Sequence, residues 1–159
     1  MEILSPSNCA IDYNILLFCE DTSNTNKILT GLDMKPNYKP HTPRLKMVDQ
    51  YIRALFKDEL PSGIKFHDAN HTLHPARGVV AVANRIAIAE TISEHDRELL
   101  IAAAYFHDTG YIREYAKNEP IAARMAGRIL QLIGYKPEEI QKVQKMILAT
   151  DLAREPKTH

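Results

Sequence analysis

The most constraining feature of this sequence is an apolar run that ends in two polar residues. From Leu99 to Phe106 the residues are apolar or nearly so, and leucine and alanine, both strong helix formers, supply most of them. The run is too short to span a membrane, and it predicts the central buried helix of a helical domain. His107 and Asp108 follow directly, and Gly110 is expected to close the helix. Because a buried carboxylate is costly unless it is paired or binds a metal, this helix end is the first candidate site.

Composition limits the classes of protein to which the chain can belong. The 159 residues are 45% hydrophobic and 25% charged, which is typical of one globular domain with room for a core. Lysine plus arginine and aspartate plus glutamate number 20 each, so net charge gives no support for nucleic-acid binding. Cys9 and Cys19 do not make a disulfide framework, and the N-terminus lacks the features of a signal peptide. We therefore expect a cytoplasmic protein with neither a nucleic-acid nor a membrane partner.

Helical periodicity accounts for most of the chain after residue 43. Apolar residues recur at three- and four-residue steps, which is the spacing of one helix face. The four stripes are Leu45, Val48, Ile52, Leu55 and Phe56; Val79, Ala83, Ile86 and Ala87; Ala122, Met125, Ile129 and Leu132; and Ile140, Val143 and Ile147. Ser93 and Asn118 are expected to cap helix starts, Gly134 to end a helix and Pro137 to begin one. The pattern predicts an all-α fold of five or six helices.

The N-terminal part is less regular. Residues 1–42 are expected to form an arm or linker in front of a helical domain of residues 43–159. Residues 14–21 predict one short buried strand, and residues 25–32 predict a short helix after it. The prolines at 36, 40 and 43 then mark the connection to the helical domain.

A histidine-rich segment lies one helix upstream of the apolar run. His67, His71 and His74 fall within eight residues. If the intervening helix and the central helix are antiparallel neighbours, His71 comes close to His107 and Asp108. Two imidazoles and a carboxylate suit a divalent ion such as Mn, Fe, Zn, Ni or Mg. Because a carboxylate has two oxygens, Asp108 could bridge two ions, an arrangement that activates water and steadies a phosphoryl group.

Each half of this pattern alone has an ordinary structural interpretation. A single histidine on an apolar face is usually a core residue with one hydrogen bond, and a His-Asp dipeptide arises often by chance. The joint pattern is much rarer than either half, and it favours a metal site.

Two segments carry a resemblance to a known family. They read FHDANHT at residues 66–72 and AAYFHDTGY at residues 103–111, and residues 118–123 and 147–151 add to them. From about residue 66 to residue 150 the chain resembles the HD-domain metal-dependent phosphohydrolases, which include the cyclic-nucleotide phosphodiesterases. Asp68 stands where asparagine is common in the family. The resemblance implies an HD-type helical bundle.

The resemblance also implies an activity and a role for each site residue. His71, His107 and Asp108 match the metal ligands of the family. His67 matches the histidine that protonates the leaving oxygen in the phosphodiesterase branch, so His67 and Asp108 are the catalytic candidates. The implied function is metal-dependent hydrolysis of a phosphate ester, with a small-molecule nucleotide as substrate and one or two divalent ions as cofactor.

Two points of the site stay open at this stage. His74 competes with His71 as the first ligand, although Pro75 and Gly78 disturb the usual family pattern after it. Family members also place a further aspartate well downstream, whereas this chain stops at His159 and its Asp151 precedes the usual position. We therefore expect either a truncated piece or an incomplete site, and three ligands can still hold a catalytic ion whose open positions take water or substrate.

A second hypothesis belongs to another class of function. A non-catalytic HD module would bind a nucleotide or a partner protein through an incomplete metal site. Arg77 and Lys65 are weaker candidates for phosphate contacts under either hypothesis. Homo-oligomer formation is left open by the sequence.

Overall fold

The computed structural model describes residues 38–59, 69–74 and 78–151. Within these ranges the chain forms six α-helices, one 3₁₀ helix and no strand, so the all-α prediction is confirmed. The elements in order are α1 (Pro43–Glu59), α2 (Ala69–Leu73), α3 (Val79–Ala89), α4 (Glu94–Phe106), the 3₁₀ helix η1 (Thr109–Ile112), α5 (Asn118–Ile133) and α6 (Pro137–Ala149). The strand and helix predicted within residues 14–32 lie outside the described residues. None of the described helices has the length and hydropathy that a bilayer span needs.

Helix α4 lies at the centre of the domain, as its apolar run predicts. It contacts all five other α-helices, and each residue from Leu99 to Phe106 is at most 1% exposed. Ser93 caps its start as expected, because its Oγ accepts a hydrogen bond from the amide of Asp96 at 3.1 Å. Since α4 is covered on all sides from Leu99 onwards, the residues at its C-terminal end are held in the interior.

The other predicted stripes pack against the core with one exception, although Met125, Ile129 and Ile140 are only half-buried. The five predicted residues of α1 and the four of α3 all belong to the core. In α5, however, Leu132 is 82% exposed, and the prediction that it faces inward is wrong. The buried row of α5 includes Ala122, Ala126 and Leu130. At about 3.6 residues per turn, position 132 lies on the far side of the helix from that row.

Two predicted helix boundaries differ in the structure. Helix α4 ends at Phe106, and Gly110 lies inside η1 rather than closing α4. Asn118 is the first residue of α5, and Lys117 is its N-cap. The physical reason is tertiary, because η1 and the start of α5 pack together so closely that a Cβ at Gly110 would clash with the main chain of Asn118. By contrast, Gly134 ends α5 with a φ of 100°, and Pro137 begins α6, as predicted.

Arg44 joins three helices through two buried carboxylates. Its Nε donates a hydrogen bond to Glu98 of α4 at 2.8 Å, and its two Nη atoms donate to Glu139 of α6 at 3.0 and 3.2 Å. The guanidinium carbon also lies 4.0 Å from the ring centroid of Tyr135, whose hydroxyl donates to Glu98 at 3.0 Å. Burial alone would raise the pKa of Glu139, but hydrogen bonds from Arg44 and from the Lys136 amide outweigh it and lower that pKa.

Candidate metal centre

His107 is held at the C-terminal end of α4 by two carbonyls of the last turn, one of which, that of Ala104, is among those that a helix end leaves without an intrahelical partner. Its amide donates to Ala103 O at 2.9 Å, and its ring Nδ1 lies 2.7 Å from Ala104 O. Because a carbonyl oxygen only accepts, Nδ1 carries a hydrogen, and in the neutral ring Nε2 keeps its lone pair. Metal-binding histidines are commonly oriented in this way. The residue is 0% exposed, so its ring has little freedom to turn.

Asp108 brings two histidines together. Its Oδ2 lies 3.1 Å from Nε2 of His107 and 3.5 Å from Nε2 of His71, which belongs to α2. The centroids of the two imidazole rings are 5.6 Å apart. The ligand atoms of these three residues, which we call the metal group, all lie within 4.8 Å of one another.

The metal group fits a divalent ion in distance and in charge. Nitrogen and oxygen ligands lie about 2.0–2.2 Å from such ions, so neighbouring ligands of one ion are roughly 3.0–3.4 Å apart. The two contacts of Asp108 Oδ2, at 3.1 and 3.5 Å, are close to that range. A carboxylate facing an imidazole lone pair is repulsive, and a positive charge between them relieves the repulsion. The C-terminus of α4 adds a partial negative charge that also favours a cation.

The metal group is least buried at His71. The side chains of His107 and Asp108 are 1% and 2% exposed, whereas that of His71 is 22% exposed. His71 is therefore the partly exposed member of the group, although its Nε2, like that of His107, is itself buried.

Gly78 sets the position of the short helix that carries His71. Its amide donates to His74 O at 2.9 Å. A Cβ built on Gly78 would lie 2.6 Å from His74 N and 2.7 Å from Thr72 O, closer than real Cβ contacts come. Glycine is thus required for α2 to lie against the start of α3. The sequence shows this residue only as an irregularity after His74.

Asn118 supports the same site from α5. The side chain is 2% exposed, and its Nδ2 donates to His107 O at 3.3 Å. The sequence predicts a capping role for Asn118 and gives no sign of this contact across eleven residues. The available signal is that residues 118–123 belong to the segments that resemble the family.

The structure brings together His71, His107 and Asp108, all three of the metal ligands predicted from the sequence. Of the two candidates for the first ligand, the group contains His71 and not His74, and it does not contain Asp151. His67 lies outside the described residues. So do the two weaker candidates for phosphate contacts, Lys65 and Arg77.

A comparison with family models decides the classification. The model of the HD domain matches residues 69–155, just over half of the chain. The chain belongs to the HD domain family. Membership implies the metal-dependent phosphohydrolase superfamily, and the metal group of this HD domain is consistent with binding of a divalent ion. No curated protein and no solved structure matches the chain.

Proposed function

We propose that this HD domain is a metal-dependent phosphohydrolase that cleaves a phosphate ester, with a nucleotide as the substrate class. The observation that carries the proposal is the convergence of His71, His107 and Asp108 at the buried end of the central helix. These residues stand at the positions where the sequence resembles the ligand motifs of the family. The family match over residues 69–155 supports the same chemistry.

Each residue has a role that follows from its surroundings. A bound divalent ion, or a pair of ions, of the Mn, Fe, Mg, Zn or Ni type would supply an activated water and positive charge for the phosphoryl oxygens. His107 offers Nε2 because Ala104 O holds its Nδ1, and Asp108 supplies the negative charge. The partly exposed side chain of His71 is the side from which we expect the substrate to approach. His67, four residues before His71, is proposed as the acid that protonates the leaving oxygen, since imidazole gives up a proton near neutral pH.

Metal binding is tested first, with variants of similar shape. The variants His71→Gln, His107→Gln and Asp108→Asn each replace one ligand, and His74→Gln is the matched control in the same segment. Thermal unfolding with Mn²⁺ and metal content by mass spectrometry are the measurements. At a Mn²⁺ concentration 100 times Kd the wild type is expected to gain about 2.7 kcal/mol. The three ligand variants should lose most of that gain, and His74→Gln should keep it. Equal losses in His71→Gln and His74→Gln would refute the assignment of His71.

Hydrolysis is tested separately with Mn²⁺-loaded protein. Release of p-nitrophenol from p-nitrophenyl phosphate and from its bis-ester distinguishes a monoesterase from a diesterase. We expect Asp108→Asn to abolish release. The His67→Gln variant should lower kcat while Mn²⁺ binding stays unchanged. An unchanged kcat in His67→Gln would exclude its role as the acid.

The second candidate function is a non-catalytic module that binds a nucleotide or a partner protein. It is favoured by the composition of the metal group, which in the described part of the chain holds three ligands and does not include Asp151. Protein that binds Mn²⁺ and a nucleotide but hydrolyses no phosphate ester would establish this function in place of the first.

A further inference from the structure

A separate cavity lies between α1, the end of η1 and α5. Its volume is about 360 Å³, which is within the range of small-molecule sites. Three arginines, Arg113, Arg124 and Arg128, belong to its lining, and no residue of the metal group does. We call it the arginine pocket.

The arginine pocket carries an excess of positive charge. Arg124 and Arg128 are exposed and four residues apart on α5, a spacing at which like charges repel each other. Within the described ranges, neither of them has a carboxylate partner. Arg113 pairs with Glu59, but the distance is 3.5 Å and both side chains are largely exposed. Such a pair is weak, so Arg113 is available to a stronger anion.

The remaining lining of the pocket is apolar or aromatic. It comprises Tyr51 of α1 and, on α5, Ile121, Met125 and Ile129. The three α5 residues recur every four positions and are half-buried, so they form one stripe beside Arg124 and Arg128. The Tyr51 ring packs 6.1 Å from that of Phe106, which fixes this wall of the pocket against the core.

Together these features select the chemistry of a ligand. Guanidinium groups bind phosphate oxygens through paired hydrogen bonds, and an apolar wall has nothing to offer a free inorganic ion. We propose that the arginine pocket binds a phosphorylated small molecule with an aromatic or apolar part. Arg113, Arg124 and Arg128 hold its phosphate groups, and the wall of Tyr51, Ile121 and Met125 holds the rest.

A neighbouring groove makes the assignment testable. Arg124 and Arg128 also line a larger space of about 590 Å³ between α5 and α6. Of these two spaces, Arg113 lines the arginine pocket and not the groove, whereas Gln141 lines the groove and not the arginine pocket. The effect of replacing Arg113 therefore tells the two locations apart.

The experiment is calorimetric titration with ADP in the presence of EDTA, which removes any contribution of metal ions. Each of Arg113→Gln, Arg124→Gln and Arg128→Gln is expected to weaken ADP binding about tenfold, the loss of one charge-assisted hydrogen-bonding group. Lys145→Gln removes the same charge from an exposed position on α6 and should leave the affinity unchanged. His107→Gln should also bind ADP normally, because the metal group does not line the pocket. Adenosine and inorganic phosphate should each bind at least tenfold more weakly than ADP.

Four results would overturn the proposal. Absence of ADP binding by the wild type would do so directly. If ADP binding weakens in Arg124→Gln, Arg128→Gln and Gln141→Ala but not in Arg113→Gln, the ligand binds in the groove. An equal loss in Lys145→Gln would show a diffuse charge effect, and phosphate binding as tightly as ADP would leave the apolar wall without a role. Circular dichroism of each variant verifies the fold. The Arg124→Lys variant keeps the positive charge but loses the paired N–H donors of the guanidinium group, so it should bind ADP with intermediate affinity.

Discussion

Replacing Arg44 with methionine is expected to destabilise the domain by about 3 kcal/mol. Removing one partner of a buried ion pair costs about 3–5 kcal/mol, because the remaining charge is left in a poorly solvated place. Here two carboxylates would remain, and the side chains of Glu98 and Glu139 are only 10% and 6% exposed. The side chain of Arg44 itself is 29% exposed, so water can solvate part of the vacated space, and the lower end of the range applies. For a domain of this size the loss corresponds to a Tm decrease of roughly 10 °C.

Urea unfolding followed by circular dichroism at pH 7 measures this change. The midpoint should fall while the slope of unfolding free energy against urea stays constant. Arg53→Met is the matched control, because Arg53 also bonds a carboxylate at 2.8 Å, that of Asp49, but its side chain is 56% exposed. The control should lose less than about 1 kcal/mol.

A triple variant separates the charge effect from the loss of packing. If the loss of stability comes from the two carboxylates that remain without Arg44, then Glu98→Gln and Glu139→Gln should restore part of the stability that Arg44→Met removes. The three changes would then be strongly non-additive. A loss below about 1 kcal/mol in Arg44→Met, or additive losses in the triple variant, would refute this explanation of the network.

Three further predictions concern single residues. The pKa of Glu139 is lowered, so its contribution to stability is complete above the unfolded pKa of about 4.3 and is lost as pH falls through the folded pKa. Between pH 7 and pH 3 the urea midpoint should therefore fall less steeply in Glu139→Gln than in the wild type. Equal slopes in the two proteins would contradict this. Gly78→Ala should displace α2 and abolish Mn²⁺-dependent stabilisation while helical dichroism is retained, whereas Ser93→Ala, at the distant start of α4, should keep the Mn²⁺ effect. Asn118→Ala removes the donor to the buried His107 carbonyl and should cost about 1–3 kcal/mol in the same urea assay; a loss of a few tenths would show that the contact is dispensable.

The central helix and its immediate partners could be predicted because their signal is local. The run from Leu99 to Phe106 determines burial by its composition alone, and the stripes of α1 and α3 follow from their spacing. The metal group could be predicted from the sequence for a different reason. Its residues belong to two short motifs, and helix adjacency brings the ends of their helices together.

The features that escaped prediction depend on contacts between distant segments. Arg44 is 54 residues from Glu98 and 95 from Glu139, and no periodicity relates them. Gly110 resembles a helix terminator in sequence, but its requirement comes from the main chain of Asn118. Leu132 was misplaced because an apolar residue late in a helix does not reveal which face its neighbours cover.

The central position of α4 also has a kinetic consequence. The amides of its buried turns, including that of His107, should exchange with deuterium only when the whole domain unfolds. His71 instead sits on a five-residue helix, too short to be stable apart from its packing. Two of the three residues of the metal group thus lie at the C-terminal end of the most protected helix of the domain, and the third belongs to a short helix that depends on its packing. Such a division would let α2 open while His107 and Asp108 stay in place, and we expect deuterium exchange of the α2 amides to precede that of the α4 amides.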